Sequence, residues 1–181
     1  MITIYIGKSG SGKDTFLRTR VREGMKPVIS YTTRPMREGE LNGVDYNFVS
    51  TAEFKELENA GKIAESRSYH TMVAGNPDIW YYGSPKLDPS DNDYVAVVDI
   101  QGAKSYLSLY GASNLEICYI DTSDDIRESR AMSRGSFDKI EWDRRKADDD
   151  IKFSKDNLHE LEQMYGKPLT IIENNEERPV A

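Results

Sequence analysis

The nine residues from Gly7 to Thr15 read GKSGSGKDT and follow the apolar run ITIYI. Small residues at Gly7, Ser9, Gly10, Ser11 and Gly12 let a backbone wrap closely around an anion, and Lys13 supplies a cation that reaches β- and γ-phosphate oxygens. The spacing fits a phosphate-binding loop up to its last position, where a hydroxyl is expected and Asp14 stands instead. Thr15, one residue on, offers that hydroxyl. Thr15 and Asp14 are therefore the two candidate oxygen ligands for Mg2+, Thr15 being the more economical because a carboxylate adds negative charge beside phosphates. A second cluster is Arg34 and Arg37, three apart in a segment with the turn formers Pro35, Gly39, Asn42 and Gly43. Two guanidinium forks from one loop suit a phosphate that takes bidentate, charge-assisted hydrogen bonds, and Tyr46 can add a neutral donor.

Elements must hold these groups in place. Apolar and β-branched runs (ITIYI, KPVISY, YVAVVDI, LEICYI and PLTIIE) read as strands. They alternate with helical patterns: KDTFLRTRVREG, TAEFKELENAG opened by Thr51 as a cap, GAKSYLSLYG, SDDIRESRAMSRG, and one long helix over FDKIEWDRRKADDDIKFSKDNLHELEQMYG. Short continuous apolar runs between helices predict an α/β fold, a three-layer α/β/α arrangement on a mostly parallel sheet. The glycine loop falls between the first strand and the first helix, the context an anion cradle requires. The stretch from YHTM to YYGSPKLDPSDND, rich in glycine, proline and polar residues, predicts loops or a small subdomain.

Composition narrows the classes. A length of 181 residues suits one domain with a real core, and no linker or repeat divides it. A net charge of -7 argues against a nucleic-acid partner, although arginines gathered in one cleft still serve an anionic ligand. The single cysteine, Cys118, sits in an apolar run and reads as core. Met1 leads directly into a strand-like run, and no apolar stretch approaches the roughly 20 residues of a membrane helix, so a cytoplasmic location without membrane contact is expected.

The segment S-x-TTR-x-x-R-x-GE-x-x-G-x-DY-x-FVS behind the glycine loop resembles the guanylate kinases. So do KIAE, YYGSP, VVDIQGAKS, an arginine-rich stretch and a long helix after them, covering Ile2 to about Asn175. The resemblance implies a P-loop NTPase fold with a nucleotide-monophosphate region at about 32–90 and a lid at about 130–146. It implies ATP-dependent phosphorylation of GMP, and of dGMP, with magnesium, by a monomer or homodimer. It places Ser30, Arg34, Arg37, Tyr46 and Tyr82 in the monophosphate site, with the two arginines and two tyrosines on the acceptor phosphate, and Glu65 and Ser84 at the base. A carboxylate at Glu65 accepts guanine N1–H and the 2-amino group together, and adenine leaves it unpaired.

Asp99 ends the run YVAVV. It can order water on magnesium, read the 2-amino group, or cap the next helix, and the family's DIDxQG is shortened here to DIQG. In the lid, Arg130 is expected at ATP and Arg134 and Arg145 on the migrating phosphoryl group with Lys13 and Arg34, Arg144 being the alternative to Arg145. The acidic run at 147–150 is expected to cap or to face solvent. Two other readings remain: a related kinase acting on another nucleotide or a ribose bisphosphate, suggested by the extra residues between Glu65 and Tyr82, and a non-catalytic guanylate-kinase-like binding module.

Overall fold

The structure, a computed structural model, describes residues 1–73, 76–133 and 137–176. The chain divides into two compact units, one formed by Met1–Lys26 and Asn92–Ala181 and the other by Pro27–Asp91.

The first unit is built on β1 (Ile2–Ile6), in which all five residues are buried, so both faces of the strand must be covered. β7 (Tyr94–Val97) and β8 (Leu115–Asp121) flank it in parallel register, with Tyr5 opposite both Val97 and Cys118. β9 (Thr170–Glu173) extends the sheet in parallel beyond β8, and β2 (Lys26–Pro27) joins at β7, for an order β2-β7-β1-β8-β9. Alternate side chains face opposite ways. Tyr5, Val95, Cys118 and Ile120 therefore share one face, where Phe16, Leu17 and Val21 of α1 (Lys13–Arg22) pack on them. α3 (Ile100–Tyr110) packs against β1 and β8, and α6 (Lys155–Tyr165) packs against α3. The expected α/β class with a mostly parallel sheet is what forms. Cys118 is core, and burial pushes its thiol up to about 11.

Three local expectations are corrected. The long helix is two: α5 (Lys139–Lys152) stops at Phe153, and Ser154 caps α6 by accepting the Asn157 N–H. Phe153 turns into the core and stacks on Tyr119, ring centroids 6.0 Å apart, so the apolar periodicity ran on through a break. The cap of α2 (Thr51–Asn59) is Ser50 rather than Thr51. Its hydroxyl accepts the Glu53 N–H while the Glu53 carboxylate accepts the Ser50 N–H, a reciprocal capping box. KPVISY is no single strand; only Lys26–Pro27 and β3 (Tyr31–Thr32) are extended pairs.

The second unit holds a four-stranded sheet in the order β4-β3-β6-β5. β5 (Ile63–Val73) and β6 (Asn76–Pro85) form a long antiparallel hairpin, so of the two expectations for this stretch, loops or a small subdomain, the loops do not form. β3 pairs β6 antiparallel and β4 (Asn47–Phe48) parallel. α2 lies on one face: Phe54 is fully buried, its ring 5.5 Å from that of Tyr81, and a Cβ at Gly83 would come within 2.9 Å of it.

Candidate functional site

In the first unit the glycine loop joins β1 to α1, as the sequence predicts. Gly10 has φ +79, and a Cβ there would lie 2.9 Å from the Arg127 carbonyl, so the loop passes too close to its support for any side chain. Its carbonyls are fastened from outside. Arg127, fully buried on α4 (Asp124–Met132), donates to the Ser9 carbonyl at 2.9 Å. Arg130, on the same helix, donates to the Gly10 and Ser11 carbonyls at 3.4 and 3.3 Å. Thr122 Oγ1 and Asn174 Nδ2 donate to the Ser11 carbonyl at 3.2 and 2.7 Å. A trans peptide sets its C=O and the next N–H on opposite sides. Holding these carbonyls on the protein side thus turns the Gly10 and Gly12 N–H groups toward the open side, where an anion can be met at the N-terminus of α1. The Ser11 N–H closes a turn onto the Lys8 carbonyl at 3.2 Å.

Lys13 Nζ donates to the Gly7 and Lys8 carbonyls at 2.7 and 2.9 Å, so the ammonium lies along the loop. Asp14 and Thr15 are both exposed on the first turn of α1.

The acidic run does more than cap or face solvent. The Ser9 N–H donates to Asp149 at 2.6 Å and Lys8 Nζ to Asp150 at 2.5 Å, so α5 grips the loop. Arg127 completes this brace. It pairs with Asp124 at 2.6 Å, stands 3.7 Å from Asp149, and lies over the Trp142 ring. The Asp124 carboxyl is held down at about 2 by the hydrogen bonds of Lys146 and Arg127. Arg127, Asp149 and Asn174 were missed in the sequence. The only hint was an arginine three residues after Asp124, a pattern most surface helices share.

Arg130, expected at ATP, spends both terminal nitrogens on backbone carbonyls, including those of Asn174 and Glu176 at 3.0 and 2.8 Å. Asp99 caps α3, its carboxylate accepting the Gly102 N–H at 2.9 Å. On α5, Arg144 binds Glu141 twice and Asp148 once, whereas Arg145 touches Glu141 through Nε alone, which leaves its terminal nitrogens outside that pair. Arg134 lies outside the described residues.

In the second unit Arg34 is buried. Its guanidinium makes a two-point pair with Glu40, at 3.0 and 2.7 Å, and also donates to the Pro35 carbonyl. It lies 5.5 Å from the Tyr46 and Phe48 ring centres, and Tyr46 meets Tyr82 edge-on at 6.1 Å. The Arg34 hydrogen bonds hold the Glu40 carboxyl below its ordinary range against the opposing pull of burial, helped by the Arg37 N–H. The Arg37 side chain is exposed on the same loop. Ser30 precedes β3 and receives the Asn47 N–H on its carbonyl. Glu65 and Ser84 are register partners on β5 and β6, and the Ser84 hydroxyl, 1% exposed, donates to the Glu65 carboxylate at 3.0 Å. The second unit so gathers Arg34, Tyr46 and Tyr82 into one cluster and Glu65 with Ser84 into another.

A glycine loop braced between a parallel strand and a helix, with a lysine laid along it, defines a P-loop phosphate-binding protein. The comparisons then give the family. A family model described as guanylate kinase matches residues 2–77. The guanylate kinase of Chlorobium luteolum is 33% identical over 147 residues, covering 76% of this chain and 70% of that protein. That of Gloeobacter violaceus is 36% identical over 143 residues, covering 75% and 65%. A crystal structure of guanylate kinase from Anaplasma phagocytophilum, 23% identical, aligns over 97% of this chain and 77% of its own with a TM-score of 0.59, a likeness of fold. The chain belongs to the guanylate kinase family, and it spans about two thirds of the length of the curated relatives it matches.

Proposed function

We propose that this protein is an enzyme that transfers the γ-phosphoryl group of ATP to GMP, and to dGMP, giving ADP and the nucleoside diphosphate. The observation that carries the acceptor is the Ser84–Glu65 pair. A half-buried carboxylate, oriented by a hydroxyl it already receives, can accept two adjacent N–H groups, and guanine presents N1–H beside its 2-amino group. Adenine has no such pair and would leave the carboxylate poorly satisfied, at about 1–3 kcal/mol.

The braced loop and Lys13 would hold the donor phosphates. Arg34, Arg37, Tyr46 and Tyr82 would hold the acceptor phosphate, with Ser30 beside them. The acceptor is already an anion, so the reaction asks for alignment and positive charge rather than a strong base. Arg145, less engaged than Arg144, is the better placed of the two to follow charge onto the migrating group, and Arg134 is assigned the same task. Asp14 and Thr15, hard oxygen donors exposed beside Lys13, fit magnesium, which when bound with ATP offsets phosphate charge.

The test is ADP release across GMP, dGMP, AMP, CMP, dTMP and ribose bisphosphate. GMP and dGMP should turn over and the rest should not; turnover of ribose bisphosphate without GMP would replace the acceptor. Lys13→Ala should cut turnover by roughly a hundred- to a thousandfold, and an unmoved rate would remove the loop from the chemistry.

A further inference from the structure

Cross-strand partners in a ladder share a face, and successive residues alternate. Ser66, Tyr81 and Gly83 belong to the face under α2: Ser66 Oγ donates to Glu58 at 2.5 Å, and Tyr81 and Gly83 meet Phe54. Glu65, Arg67, Tyr82 and Ser84 therefore emerge on the opposite face. Arg67 is the register partner of Tyr82, Tyr82 of Thr32, and Thr32 of Phe48, which makes one row across four strands. At the far end of that row the Arg34 guanidinium lies over Phe48 and Tyr46. Arg67 is half-buried at the near end, one step along β5 from the base-reading Glu65.

The Arg34 charge is already opposed on this face. Arg34 is opposed by Glu40 in a close pair whose side chains are 4% and 20% exposed, so the two together present little net charge. A phosphate monoester carries about -1.5 to -2 at pH 7. Arg37 alone would leave much of that uncompensated. We infer that Arg67 is a further substrate-binding residue, a third arginine on the acceptor's phosphate, acting across from Tyr82. It stands about 6.6 Å along the strand from Glu65, which sets it clear of the Glu65–Ser84 pair that takes the base. The inference rests on the acceptor being a nucleoside monophosphate.

The experiment compares wild type, Arg67→Ala, Arg67→Gln and Arg67→Lys in the full chain, titrating GMP and guanosine by calorimetry and measuring KM for GMP and ATP. Arg67→Ala and Arg67→Gln should weaken GMP by about ten- to a hundredfold and guanosine by no more than about twofold, the loss expected for charge-assisted bonds made to phosphate alone. KM for ATP should stay in place. Arg67→Lys should recover part of the loss, since it restores the charge and not the fork. Equal weakening of GMP and guanosine would make Arg67 a base contact or a packing residue and overturn the inference, as would unchanged GMP binding in both neutral variants. Wild type that binds no GMP would overturn the acceptor reading itself; normal wild-type binding beside an unmoved variant would overturn this inference alone.

Discussion

The phosphate loop and the β3–β6 face organise their donors over very different stretches of chain. Arg127 reaches the Ser9 carbonyl across 118 residues of sequence and Asn174 reaches Ser11 across 163. On the other unit Glu40 fixes Arg34 from six residues away, and Ser84 meets Glu65 from 19. One site depends on the whole of its unit being folded around it. The other depends on a loop and a hairpin. The loop should therefore share its fate with global stability, and the acceptor face should be open to local damage at a smaller cost in stability.

Arg127→Met tests the first half and carries the largest expected effect. It removes a buried cation from Asp124 and Asp149 and leaves the Ser9 carbonyl without its partner. The unfolding free energy in urea should fall by about 3 kcal/mol, and ATP should bind more weakly in step. Stability that holds while ATP affinity falls would break the link between brace and fold.

Glu40→Gln tests the second half, with a smaller effect. It keeps the shape of the Arg34 pair and one acceptor but leaves a buried guanidinium without its counter-charge. The unfolding free energy in urea should therefore fall by about 1–2 kcal/mol, less than in Arg127→Met, and KM for GMP should rise by about threefold to tenfold as Arg34 is held less firmly. The same pair gives a pH dependence. Glu40 has a folded value below its ordinary 4.5, so the contribution is complete above 4.5 and is lost as pH falls through the depressed value. The loss of stability below that point should be absent in Glu40→Gln. If the variant unfolds instead, the acceptor face is no more local than the loop.

The smallest effect separates Thr15 from Asp14. Thr15→Ala should raise the magnesium needed for nucleotide binding by a few-fold, about 1 kcal/mol, and by more than Asp14→Ala does. The reverse order would make the carboxylate the ligand.

The same contrast explains what could be read in the sequence. The glycine loop and the Arg34/Arg37 segment are local patterns, in which residue types and spacing already suggest the geometry, whereas Glu65 was reached through the family resemblance. Arg127 sits on a helix of charged residues, and nothing near it in sequence says that its side chain is buried under Trp142 and turned to the loop. Asp149 reads as one of three solvated acids until α5 is placed against Ser9. The hairpin was hidden by Gly75, Asn76, Pro77 and Asp78, breakers that usually end strands, although the register shows pairing out to Val73 and Asn76. The end of α5 was hidden because Phe153 continues the apolar period, while the cap at Ser154 interrupts the backbone.

That interruption gives α5 a fixed end of its own. Phe153, wedged against Tyr119, is that end, and α6 beyond it is anchored by the Tyr165 hydroxyl on the Leu115 carbonyl. Measured from Phe153 at the helical rise, Asp149 lies about 6 Å out and Arg145 about 12 Å. Asp149 and Asp150, the two carboxylates that hold the loop, thus lie at no more than about half Arg145's distance from that fixed end, so any swing of α5 about it is about twice as large at the arginine as at the loop.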